Sequence, residues 1–421
     1  MKYPIKVAIF VVLAAIAVVL IEREESRNTL QTLNQGYVDW LVGNASGKIE
    51  DPAVTFLRVD KDELDEHNLD PRLDWAIILK GLEGFEPKAV GIVPALDWES
   101  DDVLAKGALK KRVNLMPRMV LGSILGPAAG EGGSGDEAVA KFSSFKNVSG
   151  DQSALPIAQK VIALPDEDLL SNGEPAFTHI DLSEQPESSP NGIRVPLLAK
   201  LGDKVVPSFV LAAILAYEGV TTDEVKVNLG RNIRVSDRHR IPIDKAGYFT
   251  VYHGMRGIYP NINSTSLTLA VSQFEDLTQE LRESSQETLD TLKTNTIVIG
   301  YDQEAEHQFE LPTGTKISLA ELQAMAIATV QSGRHITHWP LVVRILSFIA
   351  LAAVGAFMLK GSKFRGVIGG FLALLLYAIV SLLTFQTFLS WTPPGAAIAV
   401  CIVLTILGII LPKSSAAKPA S

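Results

Sequence analysis

The chain has 421 residues, with 38 Lys and Arg against 47 Asp and Glu and a formal net charge of −9 at pH 7. This acidic balance argues against nucleic acid or anionic lipid as a partner, and a single cysteine rules out a disulfide framework. The length allows two or three domains, but the apolar residues cluster, and that clustering decides the class.

Residues 5–21 form an apolar run broken only by Lys6. The run is at the short end of the 17–25 residues that cross a hydrocarbon core of about 30 Å, and it predicts a first membrane helix after a cytoplasmic segment 1–4. A cleaved signal peptide is the alternative, because the start is basic. No small-x-small pattern follows in Leu20-Ile21-Glu22-Arg23-Glu24-Glu25, and Ala15-Ile16-Ala17 lies inside the run, so an uncleaved anchor is expected.

Residues 22–338 are expected to form one extracytoplasmic domain. Leu30, Leu33, Tyr37, Trp40 and Leu41 recur at helical spacing and lead into it. Val54-Thr55-Phe56-Leu57-Arg58-Val59-Asp60 reads as a buried strand, residues 73–85 as an amphipathic helix, and Ala89-Val90-Gly91-Ile92-Val93 as a second strand. That order predicts a parallel βαβ unit. A helix over 103–109 and a strand over 118–122 follow. Residues 126–135 are Gly-rich and predict a flexible insertion; 171–193 reads as a second loop-rich region. A helix over 206–217 comes next, then short strands over 225–229, 233–235 and 248–252. A long polar helix over 267–292, a strand over 296–300 and a helix over 318–331 complete the domain. The predicted class is α/β, a mixed sheet with flanking helices, joined to four transmembrane helices.

Three more apolar stretches follow: 339–359, with Arg344 as its one charge, 366–385 and 395–411. No charged side chain occurs across 366–411, which disfavours a soluble core helix there. Basic residues set the orientation. Lys2 and Lys6 mark the first helix, Lys360, Lys363 and Arg365 the connection between the second and third, and Lys413 and Lys418 the cytoplasmic tail 412–421, while residues 386–394 carry no charge. All the basic clusters fall on one side if both termini are cytoplasmic. Gly366, Gly369 and Gly370 permit close helix approach, and with it homo-oligomeric assembly.

Candidate sites come from charge and chemistry. The run Asp60, Asp62, Glu63, Asp65, Glu66 and Asp70 offers oxygen ligands but lacks the Gly and Glu positions of an EF-hand, so a solvated loop is expected. Arg231, Arg234, Arg238 and Arg240 are candidates for an anionic ligand, since guanidinium groups bind carboxylate and phosphate bidentately. His335 and His338 precede the second membrane helix, where a pH- or metal-sensitive pair could couple the domain to it. Arg344, near the outer end of that helix, is a third coupling candidate, with snorkelling to the interface as the bland alternative. No P-loop, metal-protease helix or Gly-x-Ser-x-Gly elbow is present. No cofactor is implied and catalysis is not expected.

The order of elements resembles the type-2 CHASE domain family, extracytoplasmic sensors of bacteria with one membrane helix before the sensor and three after it. Val59-Asp60 resembles the family's strand ending in Asp. Asp101-Asp102-Val103-Leu104-Ala105, Gly192-Ile193-Arg194-Val195-Pro196-Leu197, Pro207-Ser208-Phe209, Ile241-Pro242-Ile243-Asp244-Lys245-Ala246-Gly247 and Ile297-Val298-Ile299-Gly300 are similar to further motifs of it. The resemblance covers about residues 25–411, and Arg194 within it joins the candidate ligand residues. Two motifs depart from the pattern. The tryptophan-rich stretch after the first strand is reduced to Leu69-Asp70-Pro71-Arg72-Leu73-Asp74-Trp75, and Leu319-Ala320-Glu321-Leu322-Gln323-Ala324 lacks the family's glycine and histidine. Family members usually continue into a cytoplasmic cyclase or kinase, whereas this chain reaches Ser421 about ten residues after its last predicted helix. The resemblance therefore implies an inner-membrane sensor that binds a small-molecule or protein signal and relays it to a separate output partner. A non-sensing scaffold subunit of an envelope complex is the alternative.

Overall fold

The structure is a computed structural model that describes residues 3–25, 30–44, 51–66, 70–98, 102–126, 136–180, 188–189, 192–236, 239–265, 267, 290, 292–302, 308–311, 314–339, 341–358 and 363–410. In chain order, the helices that carry the argument are α1 (Tyr3–Glu25), α2 (Gln31–Asn44), α3 (Pro71–Leu82), α4 (Val103–Leu115), α5 (Phe209–Glu218), α6 (Leu319–Gln331), α7 (Leu341–Met358), α8 (Lys363–Phe388) and α9 (Gly395–Ile410). The strands are β1 (Val54–Val59), β2 (Ala89–Ile92), β3 (Met119–Gly126), β4 (Val148–Ser149), β5 (Lys160–Ala163), β6 (Gly173–Ile180), β7 (Gly192–Pro196), β8 (Lys226–Asn228), β9 (Asn232–Arg234), β10 (Arg240–Pro242), β11 (Tyr248–Thr250), β12 (Asn261–Asn263), β13 (Thr296–Tyr301), β14 (Thr337–His338) and β15 (Ser390–Trp391). The chain divides into two compact units. One holds Met1–Lys48, Ser189–Asn191 and Ile336–Ser421, and the other Ile49–Ser188 and Gly192–His335.

The second unit is mixed α/β. Its main sheet runs β12-β1-β13-β2-β3 with β6 beyond, all parallel, and β5 pairs antiparallel with the end of β3. The predicted βαβ unit exists, but β13 lies between β1 and β2. The reason is visible in the side chains. Thr296 to Gly300 are all buried, and a parallel strand covered on both faces belongs in the middle of a sheet. On one face Leu57, Val59, Val90, Ile92, Ile297 and Ile299 pack against Trp75, Ile78, Leu79 and Leu82 of α3 and Leu109 and Val113 of α4. On the other face α5 and α6 come so close that only glycine fits beneath them. A Cβ on Gly91 would lie 2.5 Å from the Phe209 ring, and one on Gly300 would overlap the Ala320 Cβ.

Local chemistry sets the helix starts. Asp70 accepts from the Arg72 N–H ahead of Pro71, Asp102 from the Leu104 and Ala105 N–H groups, Ser208 from Leu211 and Ser318 from Glu321. The expected helix over 206–217 therefore begins later than its apolar pattern suggested. Lys204–Pro207 is a strand paired with Leu198–Leu201, and Ser208 caps a helix that begins at Phe209. The expected 103–109 helix runs on to Leu115 and the expected 118–122 strand on to Gly126. Most of the predicted 267–292 helix and the 127–135 insertion lie outside the described residues.

A smaller sheet, β10-β9-β8-β4, joins the same unit, and β11 pairs antiparallel with β7. Along β8, β9 and β10 the side chains alternate. Val227, Ile233 and Ile241 are buried in one row, and the residues between them face outward.

The first unit is a helical bundle of α1, α7, α8 and α9. Phe10 of α1, fully buried, packs where Gly355 leaves room in α7, with Leu404 of α9 beside it. A Cβ on Gly370 would lie 2.5 Å from Thr405 Oγ1, so this glycine is used between α8 and α9 of the same chain and is not free for assembly. Pro4–Ile21 and Ile368–Phe388 are long and apolar enough to cross a membrane; Val342–Gly355 and Gly395–Leu407 are apolar but shorter. Large apolar side chains such as Val12, Val19, Leu346, Ile349, Phe371 and Leu383 are exposed along these helices. At one end of the bundle three segments meet. β14 pairs with β15, Trp339 Nε1 donates to Ser390 O at 2.9 Å, the Tyr37 ring lies 6.4 Å from that of Trp391, and Gln386 Nε2 donates to Asn44 O at 3.1 Å.

Candidate functional site

In open parallel sheets ligands gather beyond the carboxyl ends of the strands. Beyond β1, Asp60 Oδ1 accepts from the Asp62 N–H at 3.0 Å. Beyond β13, the Asp302 N–H donates to Val59 O at 3.0 Å, and Arg58 Nε lies 3.4 Å from the Asp302 carboxylate. The Tyr301 ring meets Trp75 edge-on at 6.0 Å.

Beside them lies a buried cation. Arg72, near the start of α3, is 1% exposed. Its Nη2 donates to Trp98 O at 2.8 Å and to Asp166 Oδ2 at 3.2 Å, Nη1 lies 3.6 Å from Asp70 Oδ2, and the guanidinium is 5.5 Å from the Trp98 ring centroid. Two carboxylates already neutralise this guanidinium, so the arrangement is a closed clamp and not an anion site. The clamp extends along the next two residues. Lys141 Nζ reaches Glu167 at 2.5 Å, while Lys106 and Lys110 reach Asp168 at 2.9 and 3.0 Å. Hydrogen bonds from Lys106 and Lys110 hold the Asp168 carboxyl below the usual range. Residues 166–168 are thereby tied to three different segments. Among the described residues no group of three or more His, Cys, Asp or Glu converges as a metal site; the side chains of Glu63, Asp65 and Glu66 in the acidic run lie outside them.

The predicted arginines are dispersed, with one exception. Arg194 of β7 donates to Asp244 and lies 4.8 Å from the Tyr248 ring centroid; Asp244 Oδ1 also accepts the Ala246 and Tyr248 N–H groups at 2.9 Å each. That carboxylate organises a turn, and Arg194 braces it. Arg231 is exposed in the turn between β8 and β9, its N–H bonded to Asn228 O. Arg238 lies outside the described residues. Arg234 and Arg240 face each other directly across β9 and β10, and Lys226 faces Arg234 from β8. All three are exposed.

The two predicted histidines belong to different units of the chain. His338 lies in β14 opposite Trp391, in the helical unit, while His335 belongs to the α/β unit. There the His335 ring is edge-on to Phe249 at 5.6 Å. Burial, and after it the nearby His239, pushes its pKa down to about 4. His239 Nδ1 in turn lies 3.1 Å from Glu218 Oε1 at the end of α5. Arg344 is half-buried in α7, and its carbonyl accepts from Ser347 Oγ at 2.7 Å.

Sequence reading missed Arg72 with Asp166, His239 with Glu218, and Lys226. Long-range pairs leave no mark in a single sequence. Lys226 was legible, however, because Lys226-Val227-Asn228 and Asn232-Ile233-Arg234 alternate in the same phase.

No family model, curated protein or solved structure matches this chain.

Proposed function

We propose that the chain is a multi-pass bacterial inner-membrane protein in which α1, α7, α8 and α9 span the bilayer and the α/β unit is an extracytoplasmic receptor-like domain resembling type-2 CHASE sensors. The carrying observation is the meeting of α2, residues 337–339 and residues 386–392 at one end of the helical bundle. These are the segments that a four-span topology with cytoplasmic termini requires on its outer side. The uncharged 386–394 connection and the cluster of Tyr37, Trp339 and Trp391 suit a membrane–water interface, where aromatic rings concentrate. The exposed apolar side chains of α1, α7 and α8 suit hydrocarbon. Lys363 and Arg365 lie at the opposite end, where α8 begins.

In this reading the α/β unit binds a small-molecule or protein signal, and the bundle relays it to a separate cytoplasmic or membrane output partner. No catalytic role is assigned. The test is co-purification of the detergent-solubilised full-length protein from its native membrane, with mass spectrometry of what accompanies it. A stoichiometric signalling kinase or cyclase supports the relay. Envelope-assembly proteins in its place, or the protein alone, favour a scaffold role and overturn the relay.

A further inference from the structure

Three segments of the helical unit bury polar side chains together near one end of the bundle. Asn34 of α2 is 6% exposed, while Ser381 of α8 and Thr392, between β15 and α9, are fully buried. Contacts along these segments bring the groups to one place. The Tyr37 hydroxyl, one turn beyond Asn34 on α2, faces Ser381. The Tyr37 ring lies 6.4 Å from that of Trp391, which precedes Thr392. Tyr377, one turn before Ser381 on α8, donates from its hydroxyl to Thr392 O at 3.3 Å.

Asn34 Oδ1, the Tyr37 hydroxyl, Ser381 Oγ and Thr392 Oγ1 are buried there, and none completes a hydrogen bond. Buried polar atoms find partners in folded proteins, so several left open in one place call for a reason. The bundle itself offers none. The other buried positions beside them along α2 and α8 are Val38, Leu41 and Phe385, which have no polar atom to give.

The chemistry of the group selects what would complete it. All four atoms are oxygens. Asn34 Oδ1 only accepts, as does the nearby Thr392 carbonyl, which disfavours an anion, and hydroxyl protons can rotate away to present lone pairs. No charged side chain occurs across 366–411, so α8, α9 and their connection supply none of the carboxylates on which divalent-cation sites rely. Hard neutral oxygens without carboxylates suit a singly charged metal ion. A set this small suits sodium rather than the larger potassium ion, which takes more ligands.

We infer that this cluster is a sodium-binding site, with Asn34, Tyr37, Ser381 and Thr392 as its oxygen ligands. A bound ion would tie α2 to α8 and to the segment that leads into α9. The inference needs only the packing of the helical unit, and it stands or falls separately from the relay of a signal.

The test is thermal unfolding of the full-length protein in detergent, titrated with sodium chloride or potassium chloride against choline chloride at constant ionic strength. The melting temperature should rise saturably with sodium, at a half-saturating concentration about fivefold or more below that for potassium. Ser381→Ala and Thr392→Val should each melt in choline chloride at the parent's temperature or higher, since each removes a buried hydroxyl that has no partner. Each should raise the half-saturating sodium concentration about tenfold or more. No response to sodium beyond choline would overturn the inference and leave ordered water as the occupant. Equal responses to sodium and potassium would overturn it too, as would unchanged titrations in both variants. Variants that melt lower in choline chloride, or fail to fold, would also overturn it, because the hydroxyls would then serve the fold and not an ion.

Discussion

Arg72 and Asp166 stand 94 positions apart in the chain, yet Arg72 Nη2 meets Asp166 Oδ2 at 3.2 Å with the guanidinium almost wholly buried. Breaking a buried pair by removing one partner leaves uncompensated charge and costs about 3–5 kcal/mol. Arg72→Ala is expected to lose that much in denaturant unfolding followed by tryptophan fluorescence. Arg72→Lys should recover only part of it, because an ammonium cannot reach Trp98 O and both carboxylates with one planar group. A loss below about 1 kcal/mol in the alanine variant would remove the clamp from the account.

Gly300 and Ala320 should behave as a coupled pair. Gly300→Ala forces Cβ overlap between β13 and α6, an overpacking that typically costs about 1–3 kcal/mol. Ala320→Gly restores room while lowering helix propensity by about 1 kcal/mol. A double-mutant cycle is expected to give a favourable coupling of about 0.5 kcal/mol or more. Simple additivity would show that α6 does not press on the sheet at this point.

Acid should weaken the α/β unit through its histidines. Burial pushes His253 and His335 down to about 4, with His239 adding to the effect on His335. An unfolded histidine takes up its proton near pH 6.5, so between about pH 6.5 and 4 the unfolded state binds more protons than the folded one. Stability is therefore flat above that window and falls as pH drops through it, by at most about 1.4 kcal/mol per pH unit for each histidine. His253→Gln and His335→Gln should each reduce the slope of melting temperature against pH within that window and leave it unchanged above pH 7. A slope unaffected by both substitutions would contradict the assignment.

Close approach of α8 and α9 depends on Gly370. Gly370→Leu would drive a side chain into Thr405 and the Cys401 carbonyl, and it is expected to lower the melting temperature of the detergent-solubilised protein by several degrees. A variant as stable as the parent would mean that α8 and α9 separate freely at this level.

The elements most legible in the sequence were those whose composition alone determines their environment. The apolar runs of β1, β2 and β13 could be read because burial on both faces leaves a local mark, whereas the sequence reading starts α3 at residue 73 instead of Pro71 because it does not use the cap at Asp70. Pairing order could not be read. Nothing in Thr296 to Tyr301 says that it separates β1 from β2, since that depends on a return of the chain across more than two hundred residues. The arginine set was visible as composition. Its division into a braced turn at Arg194, an isolated Arg231 and a row through Arg234 and Arg240 depends on hairpin register. The histidines show the same limit. His335 and His338 are near neighbours in sequence, yet they fall in different units, and the ring against His335 is Phe249, 86 positions earlier.

The central claim is that the α/β unit and the chain's carboxyl-terminal segment lie on opposite sides of a membrane. Its most direct test is cysteine accessibility on a Cys401→Ala background, comparing Asp203→Cys, in an exposed turn of the α/β unit, with Ser414→Cys. In intact cells a membrane-impermeant maleimide should label Asp203→Cys and reach Ser414→Cys only after permeabilisation. Labelling of both positions in intact cells, or of Ser414→Cys alone, would contradict the topology and with it the receptor reading.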